Sequence, residues 1–184
     1  MRIFSAVISV VFLLGILAYG AGLRVNFTPS MPRGLYMLKG CGIKRGDYVA
    51  YCLPVSMLTI GRRYLKSGSC PSRLQPLLKI AAALPGDRIE FTAEGIYINE
   101  IYMENSSAKD TDRNGRELIR ITGQATVPAG CALILAPHLD SFDSRYFGLV
   151  RLSDLEKVVP VFTEATLPES LISADGTLID SLNN

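Results

Sequence analysis

An uncharged run from Ala6 to Leu23, dominated by Val, Ile, Leu, Ala and Gly, limits the chain more than any other feature. Such a run is long enough to span a bilayer as a helix. Arg2 and the free α-amine place positive charge before it, which favours an N-terminus in the cytoplasm and the remainder outside. Ala18, Gly20 and Gly22 also supply small residues at signal-peptide cleavage spacing, so residues 1–23 read as a transmembrane anchor or a signal segment. The run exceeds the usual apolar core of a signal peptide, which favours a retained anchor. Both readings export residues 24–184.

That remainder has the length of one compact domain with a core of its own, and no internal repeat is visible. A formal net charge of +2 with no basic stripe argues against nucleic acid as a partner. The one histidine, His138, excludes a multi-His metal site and leaves a single residue to serve as base in any Ser-His-Asp triad. Between Pro137 and Leu139 it reads as an ordinary loop histidine. Four cysteines, Cys41, Cys52, Cys70 and Cys131, form no C-x-x-C pair, so no zinc site is expected, and no other metal or cofactor. In an exported domain the even count is compatible with one or two disulfides. Cys52 and Cys70 bracket a segment rich in Gly, Ser, Arg and Pro, and a bridge there would contribute about 3 kcal/mol by restricting the unfolded chain. Cys41 and Cys131 read as buried free thiols.

Strand signals dominate the domain. Leu35–Leu38 and Tyr48–Leu53 read as strands, the second ending at Pro54. Residues 55–76 lack a strong period and read as a surface insertion with a short helix around Ser56–Tyr64. Leu77–Leu84 is an apolar run between Pro76 and Pro85, short enough to favour a strand, and Pro85-Gly86-Asp87 carries a turn signal. Arg88–Thr92 and Ile96–Ile98 alternate around Ala93-Glu94-Gly95 as a hairpin. A polar loop over 105–116 precedes expected strands at Leu118–Thr122 and Cys131–Leu135. A short helix is expected within Leu152–Val159, then a strand through Val161-Phe162. Residues 164–184 are acidic and poor in aromatics, a candidate flexible tail. Many short strands and little helix predict a mainly β fold of barrel or sandwich type.

Three places carry reactive side chains. In Asn26-Phe-Thr-Pro-Ser-Met-Pro-Arg-Gly-Leu-Tyr36, Pro29 and Pro32 fix φ and remove backbone donors, leaving a stiff loop that presents Thr28, Ser30 and Met31. By itself that loop reads equally as a linker. Lys79 stands inside an apolar run, either snorkelling from an edge or buried, and burial would depress its pKa and free the amine as a base. A hydroxyl beside such an amine needs no histidine for activation. In Ser141-Phe-Asp143-Ser-Arg145, alternation in an extended segment would put Ser141, Asp143 and Arg145 on one side, with Asp143 and Arg145 as a pair.

Together these boxes, Thr28-Pro-Ser-Met-Pro, Lys79 before Ala-Leu-Pro-Gly-Asp87, and Ser141-x-Asp-Ser-Arg145 before Tyr-Phe-Gly148, resemble the signal peptidase I family (peptidase S26) in its own order. The family comprises membrane-anchored serine proteases of the Ser-Lys type, with a signal-peptidase-like β-barrel or sandwich domain. The Asn26-x-Thr-x-Ser-x-Pro-x-Gly-x-Tyr36 spacing, the small size and the Cys52/Cys70 pair resemble its TraF-type branch, which serves conjugative transfer and processes pilin, in some members by ring closure. The resemblance implies Ser30 as nucleophile, Lys79 as general base, and Thr28 with the Ser30 N–H as oxyanion hole. It further implies Ser141 as orienter of Lys79, Asp143 and Arg145 as a brace, Asp143 as a third catalytic candidate, and Met31 packed under the dyad or against substrate. Two departures stand out. Ile80 replaces an Arg usual after the lysine, and Ala136-Pro-His-Leu139 replaces a Gly-Asp-Asn that often precedes the third box. The implied setting is the bacterial cytoplasmic membrane with the domain in the periplasm and a pilin or preprotein as partner. A general signal peptidase and a non-catalytic assembly module are the alternatives, and oligomeric state is left open.

Overall fold

The computed structural model describes residues 2–40 and 42–163. The expected tail and Cys41 lie outside the described residues. The chain opens with helix α1 (Arg2–Gly20) and continues through strands β1 (Leu23–Asn26), β2 (Gly34–Leu38) and β3 (Tyr48–Tyr51). A short 3-10 turn leads into helix α2 (Leu58–Tyr64). Strands β4 (Leu77–Ala83), β5 (Arg88–Phe91), β6 (Ile96–Ile98), β7 (Ile101–Met103), β8 (Gly123–Thr126) and β9 (Cys131–Leu135) come next. Helix α3 (Ser144–Phe147), β10 (Val150–Arg151) and β11 (Leu155–Thr163) complete the order. The class is mainly β, as the strand signals predict.

The strands form two antiparallel sheets. One has seven strands in the order β1-β2-β11-β3-β4-β9-β10, the other four in the order β7-β6-β5-β8. Two cores lie on opposite faces of β4 and β9. Ala132 and Ile134 face a core with Val49, Tyr51, Leu53 and Leu77, while Leu133 and Leu135 face a second core with Ile89, Ile96, Ile98 and Val127. A strand buried on both faces must be apolar throughout, which is why Cys131–Leu135 shows no alternation. In β4, Leu77, Lys79 and Ala81 share one face by the two-residue period, and that face is the first core. A register irregularity between Ala81 and Ala83 then turns Ala82 and Ala83 toward the second core.

The Pro85-Gly86 corner closes with Asp87 N–H donating to Leu84 O at 3.0 Å, and Gly86 has φ +93°. Positive φ at the second corner is the type II geometry that glycine adopts without strain. Cys52 and Cys70 form a disulfide. The segment it closes is not confined to the surface, since Leu65 and Leu74 join the first core and Cys70 is buried. Cys131 is free and half-buried, where the sequence predicts a fully buried thiol.

Several element expectations are corrected. Residues 118–122 form no strand, because β5 pairs with the next four, Phe91 opposite Gly123 and Arg88 opposite Thr126. The helix expected within Leu152–Val159 is only a 3-10 turn at Leu152–Asp154, because Leu155 onward is recruited by β3 and β2. Strands β1, β7 and β10 are additions to the expected set. Asp143 and Arg145 do not share an extended segment. Asp143 is the N-cap of α3 and Arg145 lies in its first turn.

Helix α1 ends with Arg24 reaching back, its Nη1 donating to Tyr19 O at 2.9 Å and its guanidinium 4.0 Å over the Tyr19 ring. A cation at a helix C-terminus satisfies free carbonyls and the dipole together. Among the described residues no helix is long and apolar enough to cross a membrane, so a spanning role for residues 1–23 remains an expectation.

Candidate active site

The loop between β1 and β2 carries Thr28, Ser30 and Met31. Its prolines cannot supply backbone donors, and side chains hold it instead. Asn26, the last residue of β1 and buried, donates through Nδ2 to Thr28 O, Met31 O and Pro32 O at 3.2, 3.1 and 3.0 Å. Tyr36 Oη donates to Pro32 O at 2.6 Å. Burial, then the neighbouring Tyr48, pushes that phenol up to about 12, which keeps it a donor at any ordinary pH. Met31 is 2% exposed, a buried anchor for the loop.

Lys79 projects from the core face of β4 and is 2% exposed. The structure brings it to both hydroxyls: Nζ lies 2.8 Å from Ser141 Oγ and 3.4 Å from Ser30 Oγ. Burial is the largest influence on this amine, Asp143 opposes it and Arg145 adds to it, and together they lower it from 10.5 to about 8. Solvation that the ammonium would need is missing, so the neutral form is favoured relative to a lysine in water. Thr28 Oγ1 lies 3.4 Å from Ser30 Oγ. The Ser30 N–H has no hydrogen-bond partner among the described residues. Separations of 3.4 Å are loose for hydrogen bonds but within the range of an unliganded nucleophile and base.

Asp143 and Arg145 are fully buried and bonded to one another. Asp143 Oδ1 accepts from Arg145 N–H and Nε at 3.2 and 2.8 Å, and Oδ2 accepts from Arg145 Nη2 and Ala136 N–H at 2.6 and 3.1 Å. Arg145 also donates to Ala136 O, His138 O and Asn105 O. The pair therefore ties β9, the 136–139 loop and α3 together below Ser141. Ser144 Oγ accepts from Ile134 N–H at 3.0 Å and fixes the same cluster to β9. None of the donors on Asp143 is Lys79, so among the described residues the carboxylate touches the amine through charge and not through a hydrogen bond.

Ser30, Lys79 and Ser141 open onto a cleft of about 630 Å³. Its rim is made by the 105–116 loop, whose Lys109 and Arg113 both bond Asp140, next to Ser141. These two bonds, Lys109 first, hold the Asp140 carboxyl down at about 2. Across the rim Asp112 accepts from Arg116 Nε at 2.6 Å and from Tyr64 Oη at 3.0 Å. His138 lines the cleft but bonds only locally, its Nδ1 accepting from Asp140 N–H. Among the described residues no group of three or more His, Cys, Asp or Glu is placed to hold a metal. A cleft with a neutralisable amine, a hydroxyl within its reach and convergent donors is equipped for acyl transfer.

The sequence alone assigns roles to Thr28, Ser30, Met31, Lys79, Ser141, Asp143 and Arg145, while Asn26, Tyr36 and Ser144 stand in the motifs without one. For Asn26 a signal is available: a loop with two prolines and three inward carbonyls needs a side-chain donor.

The family that matches the chain is described as signal peptidase, peptidase S26, over residues 1–162. The conjugal transfer protein TraF of Agrobacterium fabrum is 38% identical over 148 residues, covering 77% of this chain and 83% of that protein. The plasmid transfer protein TraF of Escherichia coli is 34% identical over 152 residues, 79% of this chain and 86% of that protein. Signal peptidase I of Bacillus caldolyticus is 33% identical over 95 residues, 46% of this chain and 51% of that protein. A crystal structure of signal peptidase I from Enterococcus faecalis aligns at 23% identity with a TM-score of 0.38, over 66% of this chain and 99% of that one. With the family matched across most of its length and TraF relatives above 30% identity over more than two thirds of it, the chain belongs to the signal peptidase family, peptidase S26.

Proposed function

We propose that the protein is a membrane-bound serine endopeptidase with a Ser30-Lys79 dyad that matures the pilin precursor of a conjugative transfer system. One observation carries the chemistry. A lysine that is 2% exposed, lowered to about 8, has its amine between Ser141 Oγ and Ser30 Oγ. The transfer role is supported by the relatives' names, and the periplasmic setting by the charge before the apolar run and by the disulfide.

In this reading Ser30 Oγ attacks the scissile carbonyl carbon as its proton passes to neutral Lys79 Nζ. The carbonyl oxygen becomes an oxyanion held by the Ser30 N–H and the Thr28 hydroxyl. Lys79 then returns the proton to the departing amine, the C–N bond breaks and an ester on Ser30 remains. Water attacks that ester with Lys79 again as base, the bond from the acyl carbon to Ser30 Oγ breaks, Lys79 returns the proton to Oγ, and a carboxylate product leaves. An amine of the same substrate can attack instead, giving a new amide and a closed ring. Ser141 holds the amine toward Ser30 throughout.

Ser30→Ala and Lys79→Ala are each expected to lower processing of the pilin precursor in membranes by at least about 10³-fold, read as loss of the faster-migrating product. Survival of processing in both variants would end the dyad reading. Rescue of a strain depleted of its housekeeping signal peptidase would place the protein with the general enzymes.

A further inference from the structure

We infer that Asn26 is a positioning residue for the reaction, setting the geometry of the Thr28 and Ser30 hydroxyls through one fully used side-chain amide. The inference rests on the proposed dyad and adds a residue that acts on it from behind.

The Asn26 amide meets five polar atoms, its two Nδ2 hydrogens shared among three carbonyls and its oxygen accepting twice. Nδ2 donates to the three loop carbonyls of Thr28, Met31 and Pro32, while Oδ1 accepts from Thr28 N–H at 3.1 Å and Thr28 Oγ1 at 2.7 Å. Chemistry fixes which end is which. A turned amide would set an oxygen against three carbonyl oxygens and two hydrogens against Thr28 donors. With Pro29 and Pro32 lacking N–H groups, the loop cannot close on its own backbone, and Asn26 supplies the missing donors.

The acceptor end matters for catalysis. The shortest bond commits the Thr28 proton to Asn26, so Thr28 Oγ1 turns a lone pair toward Ser30 Oγ, 3.4 Å away. Thr28 is thereby held beside the nucleophile while its donor capacity stays in reserve. When an oxyanion forms, the hydroxyl rotates its proton from the neutral Asn26 oxygen to the charged one, a stronger acceptor. Asn26 thus fixes the position from which Thr28 donates and returns the rotor to rest afterwards. Hydroxyl, amide and nucleophile lie within five residues of chain, so displacement of Asn26 displaces both reacting groups.

The test compares Asn26→Ala, Asn26→Asp, Thr28→Val and the Asn26→Ala/Thr28→Val double variant in the full-length protein. Initial rates of pilin precursor cleavage are measured in detergent, with thermal melts and Ser30→Ala as a parallel arm. Asn26→Ala is expected to lower kcat by about 100-fold with KM little changed, the size of effect that a 1 Å misplacement of a reacting group produces. Asn26→Asp keeps the acceptor and loses the donors, and is expected to lose kcat with a folded melt. In the double variant the loss should fall short of the product of the single losses, since part of the Asn26 effect passes through Thr28. Thr28→Ser, which keeps the hydroxyl, should restore most of what Thr28→Val loses. Wild-type kcat in both folded Asn26 variants, or a strictly multiplicative double variant, overturns the inference. Full activity in Ser30→Ala would instead overturn the dyad itself, a different failure with a different signature.

Discussion

Lys79 concentrates the tension of the site in one residue. It shares a sheet face with Leu77 and Ala81, where an ammonium is almost shut off from solvent and bonds, among the described residues, the hydroxyls of Ser30 and Ser141. The folded protein therefore releases its proton near pH 8, whereas the unfolded chain holds it to the ordinary value of 10.5. Between those values the unfolded state binds more protons, so stability rises with pH across that window and is lower below it by roughly 3 kcal/mol. Replacing the amine in Lys79→Met should remove this dependence, giving a variant at least as stable as the wild type at pH 7. Urea melts from pH 7 to 10.5 should show the two curves converging upward. The turnover of the wild type should rise through about pH 8 as Lys79 becomes a base, and a profile rising only near 10.5 would contradict a buried amine. Ser30 and Lys79 were legible because prolines around a serine and a charge inside an apolar run are both costly without a use. The Asp143–Arg145 pair was legible as a brace, but not its seat at the start of α3. Asn26 was not legible, since Asn is common in any turn and nothing beside it announces the three carbonyls it serves. Asp143 has four donors, three of them from Arg145, which makes it a brace first. Asp143→Ala should then cost about 3–5 kcal/mol by leaving a buried guanidinium unpaired, and urea melts should show activity lost in step with folding.

At the scale of elements, the Pro loop is fixed as much by the strands beyond it as by its own residues. Gly34 begins β2 at φ +150°, and a Cβ there would lie 2.0 Å from Phe162 O and 2.7 Å from Thr163 Cα. The backbone of β11 occupies the space of a side chain, so the strand that ends the described domain presses on the loop that carries Ser30. Gly34→Ala should cost about 1–3 kcal/mol from conformation alone, and more from the clash. Gly40→Ala, which meets nothing within 4 Å, serves as the control and should shift the urea midpoint little. Strands with a buried face were readable because alternation or a continuous apolar run betrays them. Strand β8, Gly-Gln-Ala-Thr, is exposed along its length and joins β5 by backbone pairing alone, so composition offers no sign of it. The misread helix at Leu152–Val159 has the same origin, for Leu155 to Val158 are held as strand by ladders to β3 formed across more than a hundred residues of chain.

The protein as a whole sets Ser30 beside an apolar face. Val25 pairs with Leu35 and Leu35 with Phe162, so the three lie on one side of the sheet, away from buried Tyr36. Phe162 is 71% exposed, and Phe27, next to Thr28, is 79% exposed. Phe27 follows β1, the strand after α1, while Phe162 on β11 stands across β2 from it, and the apolar side chains of α1 from Phe4 to Tyr19 are also exposed. Large apolar groups gathered in this way face a partner or a lipid surface more often than bulk water. In the proposed reading that surface is the outer leaflet, and the loop Thr28 to Pro32 meets substrates at membrane level. Phe27→Asp with Phe162→Asp leaves Asn26, Ser30, Lys79 and Ser141 in place, so turnover of a soluble peptide carrying the cleavage site should be unchanged. Cleavage of the full precursor embedded in vesicles should fall about tenfold or more, since each charge placed in the interface opposes insertion by a kcal/mol or more. Flotation with vesicles of the domain from residue 23 onward should weaken in parallel. Equal loss on the soluble peptide would mean that the two phenylalanines support the nucleophile loop and not its approach to lipid.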